Sequence, residues 1–324
     1  MRPGLFILSF VFLAAMEWIY ILTARKFGIV DRPNERTLHE WPTVRGGGIV
    51  FYFGFIIAVI LVGGMSLWLV AGVTLVFITG FLDDIYDMPS VARLLVQIVA
   101  FGFMFWDIGF LSTGNPWVWL GWVVAVGAIN AFNFMDGING LTAGYSLVTL
   151  LTLLWIDATV IDFVDANLPG IMISSLVVFS FFNFRSRALA FAGDVGSTTI
   201  AFIILYLIFI LIYKTGNAIY IMFLTLYGVD TFLTIIHRIM RQENILKAHR
   251  LHLFQVMVLH FKIPHTRMSM TYMAIQFIVN VLIIMNLTQD HVRQYTFGAL
   301  ILFVLGLAYV MIKLRIFKTF QKAN

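Results

Sequence analysis

The sequence predicts an all-α protein whose helices cross a membrane many times. Of its 324 residues, 61% are hydrophobic and only 11% are charged, whereas soluble domains are about half apolar and about a quarter charged. Its apolar runs approach the ~20 helical residues that cross a bilayer core, and they are too long and too little alternating for barrel strands. One aqueous core could not bury so much apolar side chain, so lipid must be part of the solvent.

Eleven apolar segments are predicted to span the membrane, with ten as the alternative because only Gly63 and Gly64 separate the second from the third. The first run, about Leu5–Thr23, is treated as a span because it exceeds a signal-peptide core and has no small-residue cleavage site after it. Residues 1–324 are predicted to form a single integral-membrane domain. The predicted spans are residues 4–24, 46–63, 66–82, 91–110, 117–133, 140–157, 168–184, 198–213, 217–237, 269–287 and 294–312.

The basic residues predict the orientation of the chain. On this segmentation, all of the 21 Lys and Arg residues except Arg2, Lys214 and Arg293 fall on one side. Because Lys and Arg accumulate on the cytoplasmic side, we expect the N-terminus outside and the C-terminus in the cytoplasm. The predicted cytoplasmic loops are residues 25–45, 83–91, 134–139, 185–197 and 238–268.

Two features of composition limit the classes of function. The absence of Cys excludes structural disulfides, thiolate metal ligands and cysteine nucleophiles. The net charge of +5 could suggest nucleic acid, but its concentration at one membrane face predicts a lipid bilayer as partner and no nucleic acid.

Four polar clusters stand at the predicted cytoplasmic ends of different helices. The orientation rests on Lys and Arg alone, so this agreement is an independent indication that the clusters share a functional face. The clusters are Asp83-Asp84-Ile85-Tyr86-Asp87, residues 130–140, Phe191-Ala-Gly193-Asp194-Val-Gly196-Ser197, and His249-Arg250-Leu251-His252.

The acidic residues suggest a metal site. Asp83 and Asp84 are neighbours that repel each other unless a cation neutralises them, and Mg²⁺ prefers carboxylate oxygens while leaving positions for substrate phosphates. The alternative is an acidic helix end that only marks the membrane interface. Asp194 lies in a Gly-Asp-Val-Gly-Ser turn that opens a helix, so it is either a simple N-cap or the third carboxylate of the metal site.

Amides and glycines form the second cluster. Asn133, Asp136 and Asn139 recur every three residues, with Gly137 and Gly140 beside them. Glycines permit sharp turns and close backbone approach. An ordinary polar turn is the alternative, but polar groups flanked by such apolar sequence need partners and are usually functional.

Basic groups supply a candidate phosphate clamp. His249 and His252 could bind zinc, but no third ligand is apparent, so we expect them to contact phosphate with Arg250; a solvated basic face near anionic lipid is the alternative. Arg45, before three glycines, suits a phosphate approach, or else lies in a mobile loop. Asp230, midway along the ninth span, is either a lipid-phosphate contact or a helix-packing hydrogen bond, and the sequence leaves both open.

The ordered motifs from Asp31 to His252 together resemble the polyprenyl-phosphate N-acetylhexosamine-1-phosphate transferases of glycosyltransferase family 4. The Pro42-Thr-Val-Arg45-Gly-Gly-Gly and Ala-His-Arg-x-His segments are more similar to the O-antigen-initiating branch than to the peptidoglycan branch. The resemblance implies a helical bundle with a cytoplasmic active-site cleft. It also implies Mg²⁺, with Mn²⁺ as the alternative ion, a UDP-N-acetylhexosamine donor, an undecaprenyl phosphate acceptor and release of UMP.

The resemblance also assigns roles to residues. Asp83, Asp84 and Asp194 are expected to be catalytic and to hold the metal. The expected substrate-binding residues are Asn133, Asp136 and Asn139 for nucleotide and phosphate, Asn183 for uracil, and Arg45, His249, Arg250 and His252 around the phosphates. The chain departs from the family pattern in Asn139 for a second Asp, Ala192 for Met, Val91 for a basic residue, and missing prolines after Asn183. These departures affect donor recognition and not the reaction class.

The expected reaction joins a sugar 1-phosphate to undecaprenyl phosphate at the cytoplasmic face of the bacterial inner membrane. It would initiate a cell-surface polysaccharide, such as the O-antigen of lipopolysaccharide, with GlcNAc as the default sugar and deoxy-N-acetylhexosamines as alternatives. A homodimer is one possible assembly. Two rival functions are an isoprenoid-diphosphate prenyltransferase, which would need a second Asp-rich motif, and a transporter, which would need paired charges near mid-membrane.

Overall fold

The computed structural model describes residues 3–33, 38–244, 250–288 and 290–321. These residues form twelve α-helices and one two-stranded sheet. The helices are α1 Pro3–Phe27, α2 Ile49–Val62, α3 Leu67–Tyr86, α4 Ser90–Ile108, α5 Trp117–Met135, α6 Leu141–Thr159, α7 Asn167–Asn183, α8 Gly193–Thr215, α9 Thr225–Met240, α10 Leu253–Phe261, α11 His265–Met285 and α12 His291–Gln321.

The helices confirm an all-α polytopic membrane protein. Within the described ranges, nine helices are long and apolar enough to cross a membrane, and Ile49–Val62 and Asn167–Asn183 are shorter apolar helices. Each of the eleven predicted segments corresponds to one of these. The second and third segments are separate helices, because Gly63 and Gly64 turn the chain with φ of 59° and 124°. The Ser66 side chain then accepts the Trp68 N–H and begins α3.

The ninth predicted span is broken. A 3₁₀ helix at Ala218–Leu224 leads into α9, so the regular backbone hydrogen bonds change at this junction. Gln276, on α11, forms hydrogen bonds with two backbone groups at this junction. Its Oε1 accepts the Leu226 N–H at 2.9 Å, and its Nε2 donates to the Met222 carbonyl at 3.1 Å. In an apolar interior, an unpaired backbone group is costly, so one side chain allows the helix to bend.

The polar stretches also contain structure that periodicity does not reveal. Strands β1 (Val30–Asp31) and β2 (Thr43–Val44) pair antiparallel, and Val44 also bridges to Ala190. The predicted loop 238–268 contains the short helix α10. Both features lie at the same end of the bundle and bring loop residues towards the start of α8.

Helix α8 is the most buried of the spanning helices and forms the centre of the bundle. It is apolar on all sides, as expected of a helix surrounded by others. Small residues let neighbouring backbones reach its first turn. A Cβ added at Gly80 on α3 would lie 2.6 Å from the Val195 Cα, and one at Gly48, before α2, would lie 2.1 Å from the Gly196 Cα. The C-terminal end of α3 and the start of α2 therefore contact the N-terminus of α8.

Candidate active site

The predicted acidic and amide residues converge at the N-terminus of α8. Asp83 and Asp84 end α3, Asn133 and Asp136 end α5, and Asp194 lies in the first turn of α8. Arg45 follows β2, and Arg93 lies in the first turn of α4. These elements are distant in sequence, and the close packing around α8 places their polar ends together.

Arg45 joins two of the three acids. Its Nε lies 2.7 Å from Asp84 Oδ1, and its Nη2 lies 2.8 Å from Asp194 Oδ2. Burial alone acts to lower the pKa of Arg45, but the carboxylates of Asp84 and Asp194 outweigh it and raise that pKa above its usual value. The planar guanidinium suits two simultaneous carboxylate contacts. Arg45 therefore remains charged and fixes the separation of α3 and α8 at the site.

Arg93 makes the matching connection to the third acid. Its Nη1 lies 2.6 Å from Asp83 Oδ2 and 3.8 Å from Asp194 Oδ1. The Asn133 amide donates to Asp194 Oδ1 and lies 3.4 Å from the Ser197 hydroxyl. In the sequence analysis, Arg93 served only as one of the basic residues that predict the orientation of the chain. Its place in the first turn of the helix directly after the paired acids could also have indicated a site residue.

Asp84 has a different environment from Asp83. Its side chain is 1% exposed, and its two oxygens accept the backbone N–H groups of Asp194 at 2.9 Å and Val195 at 3.1 Å. These are N–H groups of the first turn of α8, which lack partners within the helix. Gly193 permits this approach with φ of 72°, and a Cβ there would lie 2.4 Å from Asp84 Oδ2. Asp84 therefore caps α8, and the Asp194 carboxylate is directed towards Arg45, Arg93 and Asn133.

The donor set is compatible with Mg²⁺ but does not form a preformed three-residue cage. Among the described residues, no group of three His, Asp or Glu side chains stands close enough to hold a metal ion. Arg45 and Arg93 instead pair the carboxylates. Mg²⁺ sites commonly use only one or two carboxylates together with substrate phosphates. Asp83 and Asp194 line the same small cavity and are the two carboxylates that fit this requirement.

A polar cavity of about 340 Å³ adjoins the acids. Six of the predicted site residues line it, together with side chains from outside the predicted set. The predicted residues are Arg45, Asn133, Asp136, Asn139, Asn183 and Asp194, and the additional side chains include Phe191, Gln255 and His265. The cavity therefore combines carboxylates, a guanidinium, amides and an aromatic ring, a lining suited to a polar ligand of nucleotide type.

Two amide side chains of this cavity form hydrogen bonds between the segments that line it. Asn183 Oδ1 accepts the Gly140 N–H at 2.7 Å, and its Nδ2 donates to the Ala190 carbonyl at 2.9 Å. Asn139 Nδ2 donates to the Arg185 carbonyl at 2.8 Å. Both side chains thus connect the loop after α5 to the segment before α8. A contact of Asn183 with uracil stays a prediction.

Asp136 is the acid of the second cluster. Its Oδ1 accepts the Thr142 hydroxyl at 2.7 Å. Burial raises the pKa of Asp136 to about 7, and the negative charge of Asp194 acts in the same direction, while the Thr142 hydrogen bond opposes the shift. Asp136 therefore changes charge in the neutral pH range at the wall of the cavity.

The structure describes only part of the histidine segment, residues 249–252. His249 lies outside the described residues. His252 is 2% exposed, and its Nδ1 lies 3.2 Å from Asp230 Oδ1 in the interior of the bundle. From the described part of this segment, Gln255 lines the polar cavity. Arg250 precedes His252 and is partly buried. The structure thus directs His252 towards Asp230, whereas the sequence predicted a phosphate contact.

An apolar groove runs along α5. It consists of two adjoining cavities of about 440 Å³ and 800 Å³ that share Val124 and Ile221. Ala131 and Phe132, which precede Asn133, line the cavity nearer the polar site. The groove continues to Trp117 at the other end of α5. The polar cavity and the apolar groove are therefore both lined by residues near the C-terminal end of α5.

Comparison with known proteins shows which proteins the chain is similar to. Residues 66–212 match the model of glycosyl transferase family 4. A probable undecaprenyl-phosphate N-acetylglucosaminyl 1-phosphate transferase of Bacillus subtilis (strain 168) is 27% identical over 85% of this chain and 82% of its own length. An undecaprenyl-phosphate alpha-N-acetylglucosaminyl 1-phosphate transferase of Escherichia coli (strain K12) is 31% identical over 57% of this chain. A decaprenyl-phosphate N-acetylglucosaminephosphotransferase of Mycolicibacterium smegmatis is 28% identical over 57%. The matches span 56% and 54% of these last two relatives. The match over residues 66–212 and these relatives support the resemblance to glycosyl transferase family 4 that the motifs indicate.

Proposed function

We propose that the chain transfers N-acetylglucosamine 1-phosphate from UDP-GlcNAc to undecaprenyl phosphate and releases UMP. The observation that carries this proposal is the cluster of Arg45, Asp194 and Arg93 beside a polar cavity, close to the end of α5 that an apolar groove also reaches. One substrate of such a reaction is water-soluble and charged, and the other has a long isoprenoid tail. A site at this end of α5 can hold the reacting ends of both.

The residues around the cluster have distinct roles in the proposed reaction. The polar cavity binds the UDP-sugar, with Arg45 beside its phosphates and the Asn133–Asn139 loop along the nucleotide. The groove along α5 holds the isoprenoid tail, so that the acceptor phosphate lies beside Asp83 and Arg93. Asp84 acts by holding α8 in place. His249 and Arg250 remain proposed contributors to the phosphate side of the site, whereas His252 pairs with Asp230.

Asp83 and Asp194 would hold Mg²⁺, with Mn²⁺ as the alternative ion. When bound, the ion neutralises the diphosphate and stabilises the charge that develops during transfer. An oxygen of the acceptor phosphate attacks the sugar-linked phosphorus, and the bond from that phosphorus to the bridging oxygen breaks. The bridging oxygen and its electron pair leave with UMP. A phosphate monoester has a second pKa near ~6, so it is largely ionised at neutral pH and little proton removal is required.

The site is proposed to face the cytoplasm at the bacterial inner membrane, where nucleotide sugars are available. Product formation there would initiate a cell-surface polysaccharide. GlcNAc is the proposed sugar because the relatives' names specify N-acetylglucosamine. O-antigen synthesis and donors with deoxy-N-acetylhexosamines are narrower alternatives within the same reaction class.

The test is UMP release by the purified full chain supplied with UDP-GlcNAc, undecaprenyl phosphate and Mg²⁺. We expect Asp194→Asn to reduce turnover at least about a hundredfold, the scale on which loss of a group that stabilises developing charge acts. Asp162→Asn, in the loop between α6 and α7, is the matched control and should retain turnover. A panel of UDP-sugars identifies the preferred donor. If the wild-type chain released no UMP from any UDP-N-acetylhexosamine, the proposal would be wrong.

A further inference from the structure

Asp230 is a buried acid that the proposed reaction does not use. It lies on α9 and is 1% exposed. Its Oδ1 accepts the Leu253 N–H at 3.0 Å and faces His252 Nδ1 at 3.2 Å, and its Oδ2 accepts the Tyr272 hydroxyl at 2.6 Å. Three helices, α9, α10 and α11, therefore meet at one carboxylate.

This carboxylate caps the N-terminus of α10. Leu253 is the first residue of that helix, and its N–H has no partner within the helix. Within the same turn, Gln255 Oε1 accepts the His252 N–H at 3.3 Å, which is one half of a capping box. Helix α10 has only nine residues, and helices of this length are marginal without external contacts. Asp230 is thus an anchor that fixes where α10 begins.

The position of α10 determines one wall of the polar cavity. Phe254 is fully buried, and a Cβ added at Gly137 would lie 3.1 Å from its ring. The same added Cβ would lie 3.5 Å from Gln255 Nε2. The first turn of α10 therefore packs directly against the glycine loop that follows α5, and Gln255 lines the cavity beside it.

We propose that Asp230 is a positioning residue for donor binding, which it supports by fixing the start of α10 so that the Gln255 amide contacts the bound UDP-sugar. This proposal rests on the proposed function, since it concerns the donor of that reaction. A buried carboxylate is costly unless it is fully paired. Its pairing with Leu253, His252 and Tyr272 meets that requirement and connects the bundle to the start of α10.

Kinetics of single and double variants test the connection. Asp230→Asn and Gln255→Ala should each raise the KM for UDP-GlcNAc about five- to tenfold, with kcat changed less than about threefold, as for loss of one hydrogen bond to a bound substrate. If Asp230 acts through Gln255, the double variant should resemble the more impaired single variant. Multiplying effects on KM, or a wild-type KM in Asp230→Asn, would overturn the proposal.

Asn217→Ala is the matched control for stability. Asn217 donates to Gln294 Oε1 at 2.5 Å in a buried pair at the opposite end of α8 from Asp194. Its loss should lower the unfolding temperature in detergent, as loss of a buried hydrogen bond does, without a change in the donor KM. A raised donor KM in this variant would show that general destabilisation, and not the position of α10, changes donor binding.

A labelling experiment tests the position of α10 without any activity. The chain has no Cys, so Val256→Cys introduces a single thiol on α10 at a side chain that is 3% exposed. We expect a maleimide to label this thiol slowly in the otherwise wild-type chain and at least about tenfold faster when Asp230→Asn is added. The Asn217→Ala background should stay protected. Equal labelling with and without Asp230→Asn would refute the anchoring role, even if the proposed transferase activity were itself absent.

Discussion

At the scale of single residues, Asp136 should make stability depend on pH in an identifiable way. Its pKa is about 7 in the folded chain because of burial, against about 3.9 in an unfolded chain. Between these values the folded state binds a proton that the unfolded state has released. Stability should therefore fall as pH rises from about 4 to about 7 and level off above that range.

Asp136→Asn should remove this contribution. The variant has no titrating group at this position, so the difference between its unfolding temperature and that of the wild type should increase from near zero at pH 4 to a maximum above pH 7, in favour of the variant. Thermal unfolding of both proteins in detergent, at one heating rate across that pH range, provides the measurement. A difference that does not vary with pH would show that burial does not hold Asp136 protonated.

The sequence was enough to predict which acids belong to the site, but it did not predict that Asp83 and Asp84 make different contacts. Asp83 and Asp84 are adjacent and chemically identical, yet Asp84 accepts backbone N–H groups of α8 while Asp83 pairs with Arg93. This difference depends on how α3 is rotated against α8, which no local pattern records. Gln255 lines the cavity because α10 is anchored elsewhere, so its role also depends on tertiary contacts.

At the scale of elements, the crossing of α3 and α8 is a point where one methyl group should have a large effect. A Cβ at Gly80 would lie 2.6 Å from the Val195 Cα and 2.8 Å from the Asp194 carbonyl oxygen. Both are backbone atoms that cannot move without shifting a helix. Gly80→Ala should therefore lower stability by about 1–3 kcal/mol, as overpacking does, and reduce UMP release by separating Asp83 from Asp194.

Gly170→Ala is the control for that experiment. Gly170 lies within α7, and an added Cβ there would meet nothing within 4 Å. Because Ala is a better helix former than Gly, this variant should be as stable as the wild type or slightly more stable. Unfolding temperature and turnover are measured for both. Equal effects of the two substitutions would contradict a specific role for the close approach of α3 and α8.

The groove along α5 gives a second prediction at this scale. Gly127 lines it, and an added Cβ there would meet nothing within 4 Å. Gly127→Leu should partly fill the groove and raise the KM for undecaprenyl phosphate several-fold, with the donor KM unchanged. A short-chain prenyl phosphate, which needs less of the groove, should be less affected. An equal rise for both acceptors would place the isoprenoid tail elsewhere.

Hydropathy predicted the spanning elements because a bilayer requires long apolar helices. The two features it did not reveal arise from single polar contacts. Gln276 satisfies the backbone where the ninth span bends, and Asp230 caps α10 within a stretch that composition alone describes as a polar loop. Such contacts join residues far apart in sequence and leave no periodic signal.

At the scale of the whole molecule, the distribution of charge and the location of the site agree. The acidic cluster lies at the N-terminal end of α8, the end at which Lys and Arg were predicted to accumulate. The same end has the sheet, α10 and the polar cavity. The orientation of this end in the membrane is a prediction from the basic residues, and the proposed use of a UDP-sugar requires that it face the cytoplasm.

Single cysteines in a chain that otherwise has none can test this orientation. Asp162 and Ser186 are exposed in the loops before and after α7, so they lie at opposite ends of the bundle. In spheroplasts, a membrane-impermeant maleimide should label Asp162→Cys and should label Ser186→Cys only after the membrane is permeabilised. UMP release by each variant confirms that the labelled protein is folded. The reverse labelling pattern would expose the carboxylates and Arg45 to the outside, where they could not meet a cytoplasmic nucleotide sugar, and the proposed reaction would then be excluded at that site.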